Sequence, residues 1–369
     1  MQKELYIGIM SGTSLDGVDT VLVAINEGKI ERLASDCFAI PASLREAILA
    51  INLNQPTTIA QIGAIDHQLG KLYAQSVQAL LAQSGHSAQE ITAIGCHGQT
   101  VFHQPVGEER FTIQLGDANL IAAQTNITTI ADFRRKDMAL GGQGAPLVPA
   151  FHQAIFGLKE STVVILNIGG IANISVLNSD GTVLGYDTGP GNMLMDAWCY
   201  QHQGKLYDKN AAWAKQGQVH PELLTELLSD PYFALSAPKS TGREYFHLDW
   251  LTQHSVLNDI SAVDVQRTLC ELTVRSISDQ VRRFSQGTQP ALYVCGGGAR
   301  NPLLMQRLAK HLPNWSVSTT SDQGVDSDDM EAIAFAWLAY RRVHALPSNL
   351  PSVTGACRPA SLGVIYYPD

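Results

Sequence analysis

Apolar residues in this chain gather in short runs that stop at glycine-rich turns. ELYIGIM (residues 4–10) ends at the dense turn Ser11-Gly12-Thr13-Ser14-Leu15-Asp16-Gly17, and VDTVLVAIN and IERLASDCFAI follow around Glu27-Gly28-Lys29. Runs of this kind, bounded by turn residues, predict three antiparallel strands. Pro41 opens a predicted helix to about Ile51, and apolar residues at helical spacing from Thr57 to Ala82 predict one or two more. ITAIGCHG reads as a strand running into a glycine turn, FTIQLGD as a strand, ANLIAAQTN as a short helix and ITTIADF as a further strand.

The second half opens in the same way. STVVILN, the turn Ile168-Gly169-Gly170, IANISVLN and TVLGYD precede a predicted helix, GNMLMDAWCYQ. Strand, glycine turn, strand, strand thus occurs near residue 4 and again near residue 162. An internal duplication is one reading; the plainer one is that hairpins are common in mixed folds. Helices near 221–229 and 261–285, the strand ALYVCGGG, the helix NPLLMQRLAKHL and a last helix from about Asp328 to Val343 complete the pattern. Residues 344–354 read as a loop, and the RPASLGVIYY tail is expected to dock back on the body.

A length of 369 residues suggests about two domains. The expected division is 1–132 with the tail from about 350–369 as one lobe, and 133–349 as the other. The net charge of −9 argues against sequence-independent binding to nucleic acid or an anionic membrane, which needs a basic surface. The six cysteines are scattered, with no CxxC pair, so a zinc site is unsupported and a reducing compartment is expected. MQKELYIGIM lacks a basic segment leading into an apolar one, so no signal peptide is expected. The uncharged stretches 138–158 and 161–179 are broken by glycine, proline or asparagine and make poor membrane spans. A cytoplasmic protein is the expectation.

Three glycine-rich turns follow predicted strands: SGTSLDG (11–17), YDTGPGN (186–192) and CGGGARN (295–301). Glycines let backbone N–H groups approach an anion, and in the last two a helix starts at once. One such turn alone is best read as ordinary; three together shift the reading toward nucleotide binding. There is no GxxxxGK[ST], no GxGxxG in a dinucleotide setting and no HRD or DFG pair.

Asp187 closes a strand beside a glycine turn, where it suits a general base or, more plainly, an Asx turn. His97 and Gln99 sit where a strand meets a loop, and Arg134 lies in the basic cluster Asp132–Asp137. These suit contacts with an anionic substrate, or a structural core and a solvated turn respectively. Glu331 is one of four acids at the start of the last helix, where the helix dipole alone accounts for them.

Taken together, GIMSGTSLDGVD (8–19), CHGQT (96–100), ADFRRKDMALGGQGAPLVP (131–149), NIGGIANIS (167–175), GYDTGPGNMLMD (185–196), CGGGARNP (295–302) and DDMEAIAFAWLA (328–339) resemble the anhydro-N-acetylmuramic acid kinase family. That family belongs to the superfamily of sugar kinases, heat-shock ATPases and actin. The resemblance implies an α/β fold of two ribonuclease-H-like lobes with a nucleotide cleft between them. It also implies a reaction in which 1,6-anhydro-N-acetylmuramic acid, ATP and water give N-acetylmuramic acid 6-phosphate and ADP.

On that resemblance Gly12, Thr13, Ser14, Leu15, Asp16, Gly17, Val18 and Asp19 cradle the ATP phosphates, and Gly189, Gly191, Gly296, Gly297 and Gly298 contact the nucleotide. Asp187 activates water and Glu331 assists. His97, Gln99 and Arg134 are expected to bind the sugar; the assignment of Arg134 to its lactyl carboxylate is an inference from charge. Mg²⁺ is expected with ATP, yet Met10 stands where many sugar kinases carry a magnesium-holding Asp, so no metal ligand is assigned. A homodimer is implied only by the resemblance. An ordinary hexose kinase, an actin-like or chaperone-like nucleotide switch and, last, a metal hydrolase are the other readings.

Overall fold

The computed structural model describes residues 3–12, 15, 17–26, 29–53, 55–157, 160–237, 239–242, 245–327 and 329–369. The chain divides into two compact units, residues 1–155 with 329–369 and residues 156–328.

In the first unit β1 (Glu4–Met10), β2 (Val18–Asn26) and β3 (Lys29–Phe38) form the expected antiparallel meander. α1 (Ala42–Asn52) and α2 (Ile59–Ser84) lead to β4 (Ile91–Cys96), which pairs parallel with β1. Thr58 and Gln61 form a reciprocal cap at the start of α2, and Gly85 ends it in the left-handed conformation. A hairpin of β5 (Gln99–Gln104) and β6 (Phe111–Leu115), then α3 (Ala118–Thr125), lead into β7 (Thr129–Ala131), parallel to β4. α4 (Phe133–Ala139) and α5 (Val148–Phe156) follow.

The second unit opens with β8 (Val163–Ile168), β9 (Ile171–Leu177) and β10 (Val183–Pro190), again an antiparallel meander. The α-helices α6 (Met193–Gln203), α7 (Pro221–Leu228), α8 (Pro231–Ala234), α9 (Leu248–Thr252) and α10 (Ala262–Val281) follow. β11 (Ala291–Cys295) lies parallel to β8; α11 (Pro302–His311) crosses to β12 (Ser316–Thr319), parallel to β11. The chain then returns to the first unit with α12 (Met330–Val343), α13 (Pro351–Thr354) and β13 (Val364–Tyr366), which pairs with β7.

The strand orders are β13-β7-β4-β1-β2-β3 and β10-β9-β8-β11-β12. Without the added edge strand β13, both sheets read third, second, first, fourth, fifth, with the first three antiparallel and the rest parallel. The duplication is therefore a duplication of one ribonuclease-H-like sheet. Each unit has its own apolar core. One is built around Ile7, Leu22, Leu69, Tyr73 and Ile94, the other around Leu166, Ile174, Trp198, Leu269 and Leu292.

The unit boundaries differ from the sequence expectation of 132 and 349. α4, α12 and all of α5 but its last residue belong to the first unit. The reason for α12 lies in two glycines. Gly8 on β1 and Gly95 on β4 are register partners. A Cβ on Gly8 would overlap the Ala332 carbonyl, and one on Gly95 would overlap that of Phe335. The backbone of α12 therefore rests directly on this sheet, at a distance that any side chain there would forbid.

Candidate active site

The expected site residues fall into two groups, one in each unit. In the first, the turn after β1 holds Leu15 at φ 57°, with its N–H donating to the Gly12 carbonyl at 3.2 Å. Arg45 Nε donates to the Leu15 carbonyl at 2.9 Å and braces the turn from α1. Gly17 packs so tightly on Cys37 that an added Cβ would lie 2.5 Å from its Sγ. Asp19 on β2 stands opposite Met10 on β1. Val18 is buried at the start of β2. Thr13, Ser14 and Asp16 lie outside the described residues. Gln99 is fully buried and its Oε1 accepts from Ser11 Oγ at 2.6 Å, so it anchors the start of the turn.

His97, Arg134 and Glu331 come together from three elements. His97 follows β4, and its ring lies on Phe335 of α12 at 4.7 Å between centroids. Asp132 adopts the left-handed conformation (φ 54°) and turns the chain into α4, whose second residue is Arg134. Arg134 donates to His97 Nε2 from Nε at 3.0 Å and from Nη2 at 2.8 Å, and from Nη1 to the Gly144 carbonyl at 2.8 Å. Burial, and then the Arg134 charge, hold the His97 imidazole well below its usual pKa range. Burial pulls Arg134 itself down to about 10, against the opposing pull of Glu331.

Glu331 lies in the first turn of α12. Solvent reaches it, yet protein atoms surround it. That crowding raises its pKa; the Arg134 charge opposes the rise and the Asp19 charge adds to it. Asp19, Arg134 and Glu331 thus share one electrostatic environment.

In the second unit the β9–β10 register shifts between Asp187 and Gly189. A bulge at that point re-aims the side chains beside it. Asp187 Oδ2 accepts from Ser240 Oγ and from the Thr241 N–H, each at 3.0 Å. Tyr232 donates its hydroxyl to the Asp187 carbonyl at 2.7 Å. Gly189 has φ 145° and sits against Phe233, where a side chain is strained and blocked.

Gly191 lies under the Gly169 carbonyl and donates to that of Gly170 at 2.8 Å. Gly296 to Gly298 begin the turn after β11, and Asn192 Nδ2 lies within 3.7 Å of where a Gly297 Cβ would be. Asn192 therefore joins the two glycine turns of this unit. Asn301 caps α11 by accepting from Leu303 and Leu304, whereas the Asn192 side chain makes no such cap on α6 and donates to the Ile168 carbonyl instead.

Ser240 and Thr241 are neighbours of Asp187 that the sequence did not single out. Ser240 and Thr241 lie 53 and 54 positions from the carboxylate they fix, so no local pattern marks them. Among the described residues, no group of three or more His, Cys, Asp and Glu side chains is placed to hold a metal ion.

A family model for anhydro-N-acetylmuramic acid kinase matches residues 4–368. The chain is 62% identical over 368 residues to a Vibrio cholerae protein named anhydro-N-acetylmuramic acid kinase, covering 100% of each. It is 61% identical over 364 residues to the Vibrio parahaemolyticus protein of the same name, covering 99% of this chain and 98% of that one. With both sheets sharing one strand order and the matching motifs spread from the first strand to the last helix, the chain belongs to the anhydro-N-acetylmuramic acid kinase family and is a kinase.

Proposed function

We propose that this kinase uses ATP and water to convert 1,6-anhydro-N-acetylmuramic acid to N-acetylmuramic acid 6-phosphate and ADP, as a step in reclaiming cell-wall peptidoglycan. The observation that carries the reading is the family match along the whole chain.

Water attacks C1 while Asp187 takes its proton. The C1–O6 bond breaks and leaves its electron pair on O6. O6 then bonds to the γ-phosphorus as the bond to the β-phosphate oxygen breaks, and ADP departs. Ring opening thus creates the nucleophile that phosphoryl transfer needs, and positioning with charge stabilisation supplies the catalysis. The two hydrogen bonds on Asp187 Oδ2 fix the carboxylate's orientation toward one direction of attack.

Gly12 to Asp19 take the ATP phosphates, with Gly189, Gly191 and Gly296 to Gly298 on the nucleotide. Arg134, with His97, serves the sugar and faces its carboxylate, and Glu331 assists. Gln99, expected on the sugar, is fully buried and instead holds Ser11 at the start of the phosphate turn. Mg²⁺ would accompany ATP and would neutralise charge on its phosphates. The enzyme works in the cytoplasm as a homodimer. No helix among the described residues is long and apolar enough to cross a membrane.

The test is Asp187→Asn, followed for ADP release and reducing-sugar appearance in one time course in ¹⁸O-labelled water. Loss of a general base costs on the order of 10²–10⁴-fold, so both products should fall together while ATP still binds. Near wild-type phosphosugar formation, or ¹⁸O absent from C1, would overturn the mechanism. Preference for an open-ring hexose in the same assay would favour an ordinary sugar kinase.

A further inference from the structure

We propose that His97 is a positioning residue that serves the sugar through Arg134, by clamping the guanidinium so that its remaining N–H groups face the sugar's carboxylate. The proposal rests on the reading of Arg134 and Glu331 as site residues, and its test separates the two.

The geometry is specific. A guanidinium carries five N–H donors in a fixed fork and no acceptor. Three of those donors are spent inside the protein: two on His97 Nε2 and one on the Gly144 carbonyl. That leaves one N–H on each Nη nitrogen. Because arginine can only donate, His97 Nε2 must hold a lone pair, so the ring is neutral with its proton on Nδ1. Burial and the Arg134 charge keep it neutral through the physiological range. A protonated ring would lose both bonds and set two cations against each other.

His97 is also fixed from behind. It is 5% exposed, its own N–H donates to the Ile9 carbonyl of β1 at 3.1 Å, and its ring rests on Phe335. Phe335 is one helical turn along α12 from Glu331, so the two share a face of the helix. One imidazole therefore ties the strand end, the helix bearing Glu331 and the guanidinium to one another. Glu331 from α12 faces Arg134 with its charge, and desolvation first, then the Arg134 charge, lowers the pKa of the exposed His103 on β5. The Asp19 charge from β2 acts on Glu331 in turn.

The experiment is a double-mutant cycle in the full-length enzyme, read as kcat and KM for the anhydro sugar. His97→Leu keeps the bulk and the contact with Phe335 but offers no acceptor. Losing charge-assisted hydrogen bonds that orient a catalytic-site cation should lower kcat/KM about ten- to hundredfold. His97→Gln can bring an amide oxygen toward the position of Nε2 and should recover most of that loss. Arg134→Ala should fall at least as far, and His97→Leu added to it should cost almost nothing more.

Additive losses in the double variant would show that His97 acts on the substrate directly, and wild-type behaviour of His97→Leu would show that it does not act at all. Either overturns the proposal. Full activity of Arg134→Ala would instead overturn the underlying site reading. If His97→Leu does not accumulate in folded form, His97→Asn, whose amide stops short of the guanidinium, replaces it in the cycle with the same expectations.

Discussion

Single side chains in this protein carry their costs visibly. The Glu331 carboxyl binds its proton more tightly in the folded chain than the ordinary value of 4.5 allows. Stability contributed by a group shifted in that direction is fully present below its unfolded pKa and is lost as pH rises toward the folded one. Glu331→Gln should therefore melt at a higher temperature than the parent near neutral pH. The gap should close as pH falls below about 4.5, where the glutamate is protonated in both states. Thermal melts of both proteins across pH check this, and a gap that stays constant or widens in acid would count against it. Asp187, Glu331 and the glycine turns were visible as residues. What was not visible is how they are held, because Ser240, Thr241 and Ser11 reach their partners only through the fold.

Among the elements, strands were easier to read than helices. β1 to β3 and β8 to β10 are apolar runs with clear turn residues at their ends, and they form where expected. α4 was read as a charged cluster, with a solvated turn as the plain reading, because four of its seven residues are charged. Its helical register comes instead from buried Phe133 and from Asp137, fully buried, which accepts from Gly144, Asn349 and Thr354. β12 is too short to stand out.

The last helix, α12, was located correctly but assigned to the wrong unit. Its buried residues lie nearly all round it, so periodicity says only that it is enclosed, not by which sheet. The seat at Gly8 and Gly95 decides that. Gly95→Ala should push the helix off its strand and cost about 1–3 kcal/mol, as overpacking does. Urea denaturation should show a lower midpoint with an unchanged slope. Stability equal to the parent would mean that α12 does not need the close approach.

At the scale of the whole molecule the two units are unequal in chain continuity. Residues 156–328 form one unbroken segment with its own sheet and core, whereas the first unit needs both ends of the chain. A fragment of residues 156–328 should fold cooperatively by itself, giving a single sigmoidal urea transition. Residues 1–155 alone, lacking α12 and β13, should show weak or no cooperative unfolding. A cooperative 1–155 fragment, or a 156–328 fragment that stays unfolded, would contradict the division.

The glycine seat for α12 also has a meaning in time. A ribosome delivers residues in order, and domains tend to fold as they emerge. The second sheet has all five strands once Thr319 is out, but the strands carrying Gly8 and Gly95 wait for residues 330–343. Synthesis thus finishes the middle of this protein before its beginning. Glu331, whose charge acts on Arg134, reaches its place only once residues 330–343 are laid down.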